Sequence, residues 1–233
     1  MREIKLQAAD GSGEFSAFVW EPEGKESAGA VVVIQEIFGV NDALRATAQN
    51  LAEQGFIAIA PDLFWRLEPG VNISDKTEAE WKKAFELMNR FDQDKGVEDL
   101  ITTLDAAREL PNCNGQAGTV GFCLGGRLAV MMATRSDSDA NVSYYGVGLD
   151  QLIDEFDQIQ APLMLHIAEQ DEFFPAEGRA RVLEAVEDNE WVDAFVYPGV
   201  HHAFARVGGI HYDARAATIA NGRTTELLAE ILE

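Results

Sequence analysis

Gly121-Phe122-Cys123-Leu124-Gly125-Gly126 joins a short β-rich run, residues 117–120, to a helix-like run, residues 127–133. This is strand, sharp turn, helix, with Cys123 at the apex. Glycines two residues before and two after the cysteine remove the β-carbons that would collide in so tight a turn. The pattern is the nucleophile elbow G-x-S-x-G with sulfur in place of oxygen. It also sets Cys123 at a helix N-terminus, where backbone N–H groups and the helix dipole favour a thiolate. The bland alternative is a buried structural cysteine in a glycine-rich packing turn. Short glycine motifs alone do not separate the two.

The rest of the chain supplies the context. Beyond the elbow, the uninterrupted apolar runs at 30–34 and 56–60 read as buried strands of a parallel sheet, and 141–146 and 162–167 read as further strands. Residues 1–20 alternate polar and apolar around Asp10-Gly11-Ser12-Gly13, a hairpin. Helices are expected from Asn41 or Asp42 to about Gln54, over 76–91, 96–110 and 176–186, and from 212 to 232, with a further strand at 191–197. Strands alternating with helices imply an α/β class, mostly parallel, with right-handed crossovers.

The 233 residues fit a single α/β domain, 1–233, with no repeat or linker to divide it. No apolar run reaches the ~18 residues of a membrane helix, and the first residues lack the apolar stretch of a signal peptide. Of the two cysteines, Cys113 and Cys123, one belongs to the elbow, so a reduced, cytoplasmic setting is expected. A formal net charge of −22 argues against nucleic acid and anionic membranes as partners. A solvated acidic surface, or a saline habitat, accounts for the excess; a local arginine can still hold an anionic substrate.

In such a sheet, ligands bind beyond the carboxyl ends of the strands. Glu36, Cys123, Asp171 and His202 each follow a strand there. The order Cys123, Asp171, His202 is nucleophile, acid, histidine, in which the histidine takes the thiol proton and the acid orients the imidazole. A metal site from His166, His201, His202 and His211 is open on residue type, but no ligand spacing supports it. None is expected, and no cofactor.

These motifs resemble the dienelactone hydrolase family of α/β-hydrolases over essentially the whole length. The matching stretches are residues 35–41, 61–63, 121–126, 144–148, 170–171 and 202–206. The resemblance implies a three-layer sandwich, a mostly parallel central sheet with helices on both faces and no large cap domain. It implies hydrolysis of lactones or small esters through a thiol ester, with Cys123 as nucleophile, His202 as base and Asp171 as orienting acid. Glu36 then lies near Cys123 and helps switch thiol to thiolate. The oxyanion donors are the N–H groups of Leu124 and Ile37.

Members that act on dienelactone typically carry an Arg and a Tyr one helical turn apart, and a Ser after the catalytic histidine. Here those positions are Trp81, Phe85 and Ala203. Arg206 matches a second family arginine for the substrate carboxylate. Trp81, Phe85, Phe38 and Arg206 are therefore the expected substrate contacts. The alternative is that Trp81 and Phe85 are core residues of an amphipathic helix. Rival functions are a broad carboxylesterase with an aromatic pocket and, from another class, a redox-sensing thiol protein. The expected partner is a small ester or lactone, on a monomer or small homo-oligomer.

Overall fold

The computed structural model describes residues 1–233. Packing divides the chain into two compact units, Met1–Gly118 with Leu232–Glu233, and Thr119–Ile231.

In the first unit, β1 (Arg2–Gln7) and β2 (Glu14–Trp20) form the expected antiparallel hairpin, in register from Arg2 opposite Val19 to Gln7 opposite Glu14. Its turn is locked by Asp10, whose Oδ1 accepts from the Ser12 N–H at 3.0 Å and its hydroxyl at 2.6 Å. β2 pairs antiparallel with β4 (Ile57–Pro61), and β4 pairs parallel with β3 (Ala28–Ile34). Every residue of β3 and β4 is buried, which is why both read as unbroken apolar runs. Three helices join these strands. Asn41 caps α1 (Asp42–Glu53) by accepting from the Leu44 N–H at 3.0 Å. Thr77 caps α2 (Glu78–Arg90), and Asp92 caps α3 (Gln93–Arg108). That aspartate starts α3 three residues before the expected Gly96, whose missing Cβ makes room for the Phe91 ring.

β5 (Cys113–Phe122) begins in the first unit and ends in the second. It is longer than the 117–120 expected because its first four residues are polar or half-exposed and carry no hydrophobic signal. In the second unit the strands run parallel in a row: the end of β5 pairs with β6 (Asn141–Tyr144), β6 with β7 (Leu163–Ala168), and β7 with β8 (Val192–Tyr197). Helices α4 (Leu124–Arg135), α5 (Ala176–Val186) and α6 (Ala214–Leu232) alternate with them.

A buried polar network ties α6 to the strands. His166 of β7 meets the Tyr197 hydroxyl through Nδ1 and the Thr224 hydroxyl through Nε2, each at 2.9 Å. Tyr144 also reaches Thr224, at 2.6 Å, and donates to Asn221 at 2.9 Å. Burial, helped by the nearby Arg223 charge, pushes the His166 pKa down to about 3. The native protein therefore holds this imidazole neutral where the unfolded chain, with a pKa near 6.5, protonates it. His166 thus withdraws stability as pH falls through 6.5 toward 3. The stability gap between wild type and His166→Gln is expected to narrow between pH 7 and pH 5 in denaturant titrations; a constant gap would contradict the neutral assignment.

The elbow glycines test the fold most sharply. A Cβ on Gly121 would lie 1.9 Å from the Gly125 carbonyl oxygen, a backbone atom of the turn itself. A Cβ on Gly222, in α6, meets nothing within 4 Å. Gly121→Ala should cost about 3 kcal/mol or more in thermal unfolding. Gly222→Ala should add about 0.5–1 kcal/mol.

Candidate active site

The parallel registers of β5 to β8 deliver the site. Phe122 stands opposite Tyr144, Tyr144 opposite His166, and Ala168 opposite Tyr197. The residues just beyond these pairs therefore collect at one edge. Cys123 directly follows β5 and takes φ 56°, ψ −114°, a strained conformation for a residue with a side chain. It is held there by its N–H donating to the Tyr144 carbonyl at 3.0 Å, while its own carbonyl accepts from the Arg127 N–H at 3.1 Å. Cys123 stands at the N-cap position of α4, and the N–H of Leu124, the first helical residue, belongs to the group that helices leave without internal partners. Cys123 is 7% exposed, and both cysteines are free thiols.

Asp171 lies three residues past β7. The loop is sewn to the end of β8: Glu169 N–H donates to the Tyr197 carbonyl at 3.1 Å and Gln170 N–H to the Val200 carbonyl at 2.9 Å. Arg179, reaching back from α5, donates to the carbonyls of Glu169, Asp171 and Phe174. One guanidinium thus fixes three peptide groups around the acid. The Asp171 carboxylate also accepts from the Phe173 N–H at 2.9 Å.

His202 follows β8 by five residues and is buried. Its Nδ1 donates to both Asp171 oxygens, at 2.9 and 3.0 Å. That bond sets the tautomer and leaves Nε2 for the Cys123 side chain, to which His202 is also hydrogen-bonded. Tyr145 and Phe173 hold the imidazole edge-on, with ring centroids 5.1 and 4.9 Å away. Burial alone would depress the His202 pKa; the Cys123 charge and the hydrogen bonds to Asp171 and Cys123 outweigh it and raise the value to about 10. The backbone here is strained as well, with φ 39° at Tyr145 and 62° at Ala203.

Cys123, Asp171 and His202 are thus brought together as the sequence order implied. Arg206, largely buried, lies in the loop after His202 and donates its N–H to the Ala203 carbonyl at 3.0 Å. The expected residues of the first unit have their own fixed frame. Glu36 and Ile37 follow β3 in a loop held by Gln35, whose side chain accepts from the Leu63 N–H at 3.0 Å. Gly39 closes that loop where a Cβ would strike the Val71 carbonyl at 2.0 Å. Phe38 meets Trp81 edge-on at 5.1 Å, and Trp81 stacks on Phe85 at 5.5 Å. The apolar contact face of α2 is Ala84 and Leu87, whereas Trp81 and Phe85 are only half-buried. Both rings pack in the Phe38 cluster while partly exposed, and the Trp81 indole N–H donates to the Asp75 carbonyl at 2.9 Å.

Sequence reasoning missed Arg179 and Phe173, and it placed Tyr145 in a matching stretch without giving it a role. Arginine in a helix and aromatics near strand ends carry no local signature; only the fold gives them a partner. Removing the acid tests the geometry: Asp171→Asn should lower kcat on the order of 10³–10⁴-fold through loss of the tautomer, with little change in KM. Unchanged circular dichroism with undiminished kcat would refute the orienting role.

A family model described as the Dienelactone hydrolase family matches residues 15–232. A protein of Azospirillum brasilense that carries the provisional name carboxymethylenebutenolidase is 53% identical, over 100% of both chains. A carboxymethylenebutenolidase of Pseudomonas putida is 38% identical, over 98% of this chain and 96% of its own. Among solved structures, one from Klebsiella pneumoniae, provisionally named a dienelactone hydrolase, has a TM-score of 0.85 at 23% identity and covers 98% of each chain. That likeness shows the fold, a mostly parallel eight-stranded α/β sheet with helices.

Proposed function

The chain belongs to the dienelactone hydrolase family, and we propose that it opens lactones by covalent catalysis through Cys123. It is a hydrolase of carboxylic esters and lactones. The observation that carries the mechanism is the buried relay from Asp171 through His202 to the Cys123 sulfur. The raised His202 pKa favours an imidazolium beside the Cys123 sulfur, the proton donor that the departing oxygen needs.

In the first half-reaction the Cys123 sulfur attacks the lactone carbonyl carbon. A C–S bond forms, the ring C–O bond breaks, and His202 hands its proton to the departing oxygen. An enolate leaves most readily, because a thiol ester forms easily only when the departing oxygen is stabilised. In the second half-reaction His202 takes a proton from water, the hydroxide adds to the thiol ester, and the C–S bond breaks. The net change is addition of one water. The Leu124 N–H is proposed as one oxyanion donor. The family resemblance supports the Ile37 N–H as the second, Glu36 as the group that helps ionise Cys123, and Arg206 as the holder of the substrate carboxylate.

The aromatic run Phe38–Trp81–Phe85 favours a second reading of substrate range, an esterase that accepts uncharged aryl esters. The test compares kcat/KM on cis- and trans-dienelactone with that on p-nitrophenyl acetate. Preference for the lactone is expected if Arg206 alone suffices for the carboxylate. Cys123→Ala should remove activity on every substrate, by at least about 10³-fold; activity within tenfold of wild type would sink the assignment.

A further inference from the structure

The four histidines part company in the folded chain. His166 is sealed in the network with Tyr197 and Thr224, and His202 faces Asp171. His201 and His211 remain, and both approach Glu172. The His201 Nδ1 lies 3.8 Å from one Glu172 oxygen and the His211 Nδ1 3.7 Å from the other. The two imidazole centroids are 5.0 Å apart. One ligand atom from each of the three residues lies within 4.8 Å of the others.

We propose that Glu172, His201 and His211 bind one divalent transition-metal ion of the zinc type. Two imidazoles and a carboxylate form a ligand set for such an ion, with a water in the fourth position. Tetrahedral bonds of 2.0–2.1 Å place ligand atoms about 3.3 Å apart. The present separations exceed that by at most about 1.5 Å, a change that side-chain rotation supplies. Glu172 and His201 are exposed and His211 is half-buried, so the ion has an entry path and the side chains have room to turn. The His211 Nδ1 also sits 3.3 Å from the His202 carbonyl oxygen. This carbonyl competes with the ion for Nδ1, the nitrogen that faces Glu172, and a half-buried ring that turns can give up the long 3.3 Å contact.

The sequence hides this site because its ligands come from two loops, Glu172 next to Asp171, His201 next to His202, and His211 nine residues beyond His202. Spacing along the chain therefore shows no metal motif. The ion touches neither catalytic side chain. It fastens the loop that carries the acid to the loop that carries the base, and its binding does not depend on the catalytic reading.

The test uses untagged full-length protein carrying Cys113→Ser and Cys123→Ser, which removes both thiols as competing ligands. It is titrated with zinc chloride against a chromophoric zinc indicator. The expected result is one zinc per chain, bound at least about tenfold more weakly after His211→Asn or Glu172→Gln. Zinc should also raise the unfolding temperature of the parent and not of these two variants. Each variant is compared with its own zinc-free unfolding temperature, since Glu172 and His211 also bond the His202 backbone. The same differences should appear in the chain with its cysteines intact. No saturable uptake, equal binding in the variants, or uptake abolished only by His202→Asn would overturn the proposal.

Discussion

The arrangement depends on one hydrogen-bonded contact, the Nδ1–H of His202 shared between the two oxygens of Asp171. Both partners are buried, so neither has water to fall back on, and an unpaired carboxylate or imidazolium there is costly. The pair settles which nitrogen faces Cys123. It also explains why the loops after β7 and β8 are stitched together by backbone bonds before either side chain is considered. Arg179 extends the same logic by holding three carbonyls of the acid's loop with one guanidinium. Asp171 is thereby a rigid acceptor, not a mobile surface carboxylate.

The second constraint is backbone strain at the strand ends. Cys123, Tyr145 and Ala203 are the non-glycine residues with positive φ, and all three border the site. Such conformations persist only where surrounding bonds over-determine them. At Cys123 the Tyr144 carbonyl and the start of α4 supply those bonds. The glycines around it supply the space, since Gly121 and Gly126 face backbone atoms at less than 3 Å from where a Cβ would stand. A structural cysteine has no need of this turn, and the strain at Cys123 argues for a nucleophile.

Much of this was legible in the sequence, for identifiable reasons. Strands β3, β4 and β7 are buried throughout and announce themselves as largely apolar runs, whereas β6 is equally buried but half polar. The elbow was legible as a strand–turn–helix with flanking glycines, while its separation from a plain packing turn came from the other motifs along the chain. Asp171 and His202 could be ordered along the chain but not paired, since their pairing follows from the β7–β8 register. Trp81 and Phe85 showed their i, i+4 spacing, while their half-exposed placement beside Phe38 needed the fold. The first turn of α3 was missed because Asp92 caps it through a polar stretch without periodicity. Glu172, His201 and His211 were wholly illegible as a group, because proximity across two loops leaves no trace in spacing.

The central claim is that the acyl group passes through the Cys123 sulfur. The direct measurement is an acid quench during turnover of p-nitrophenyl acetate, followed by peptide mapping by mass spectrometry. The account predicts an added acetyl group on the peptide that contains Cys123, and none when that residue is alanine. An acetyl group that accumulates with turnover on any other residue, with Cys123 left unmodified, would contradict it.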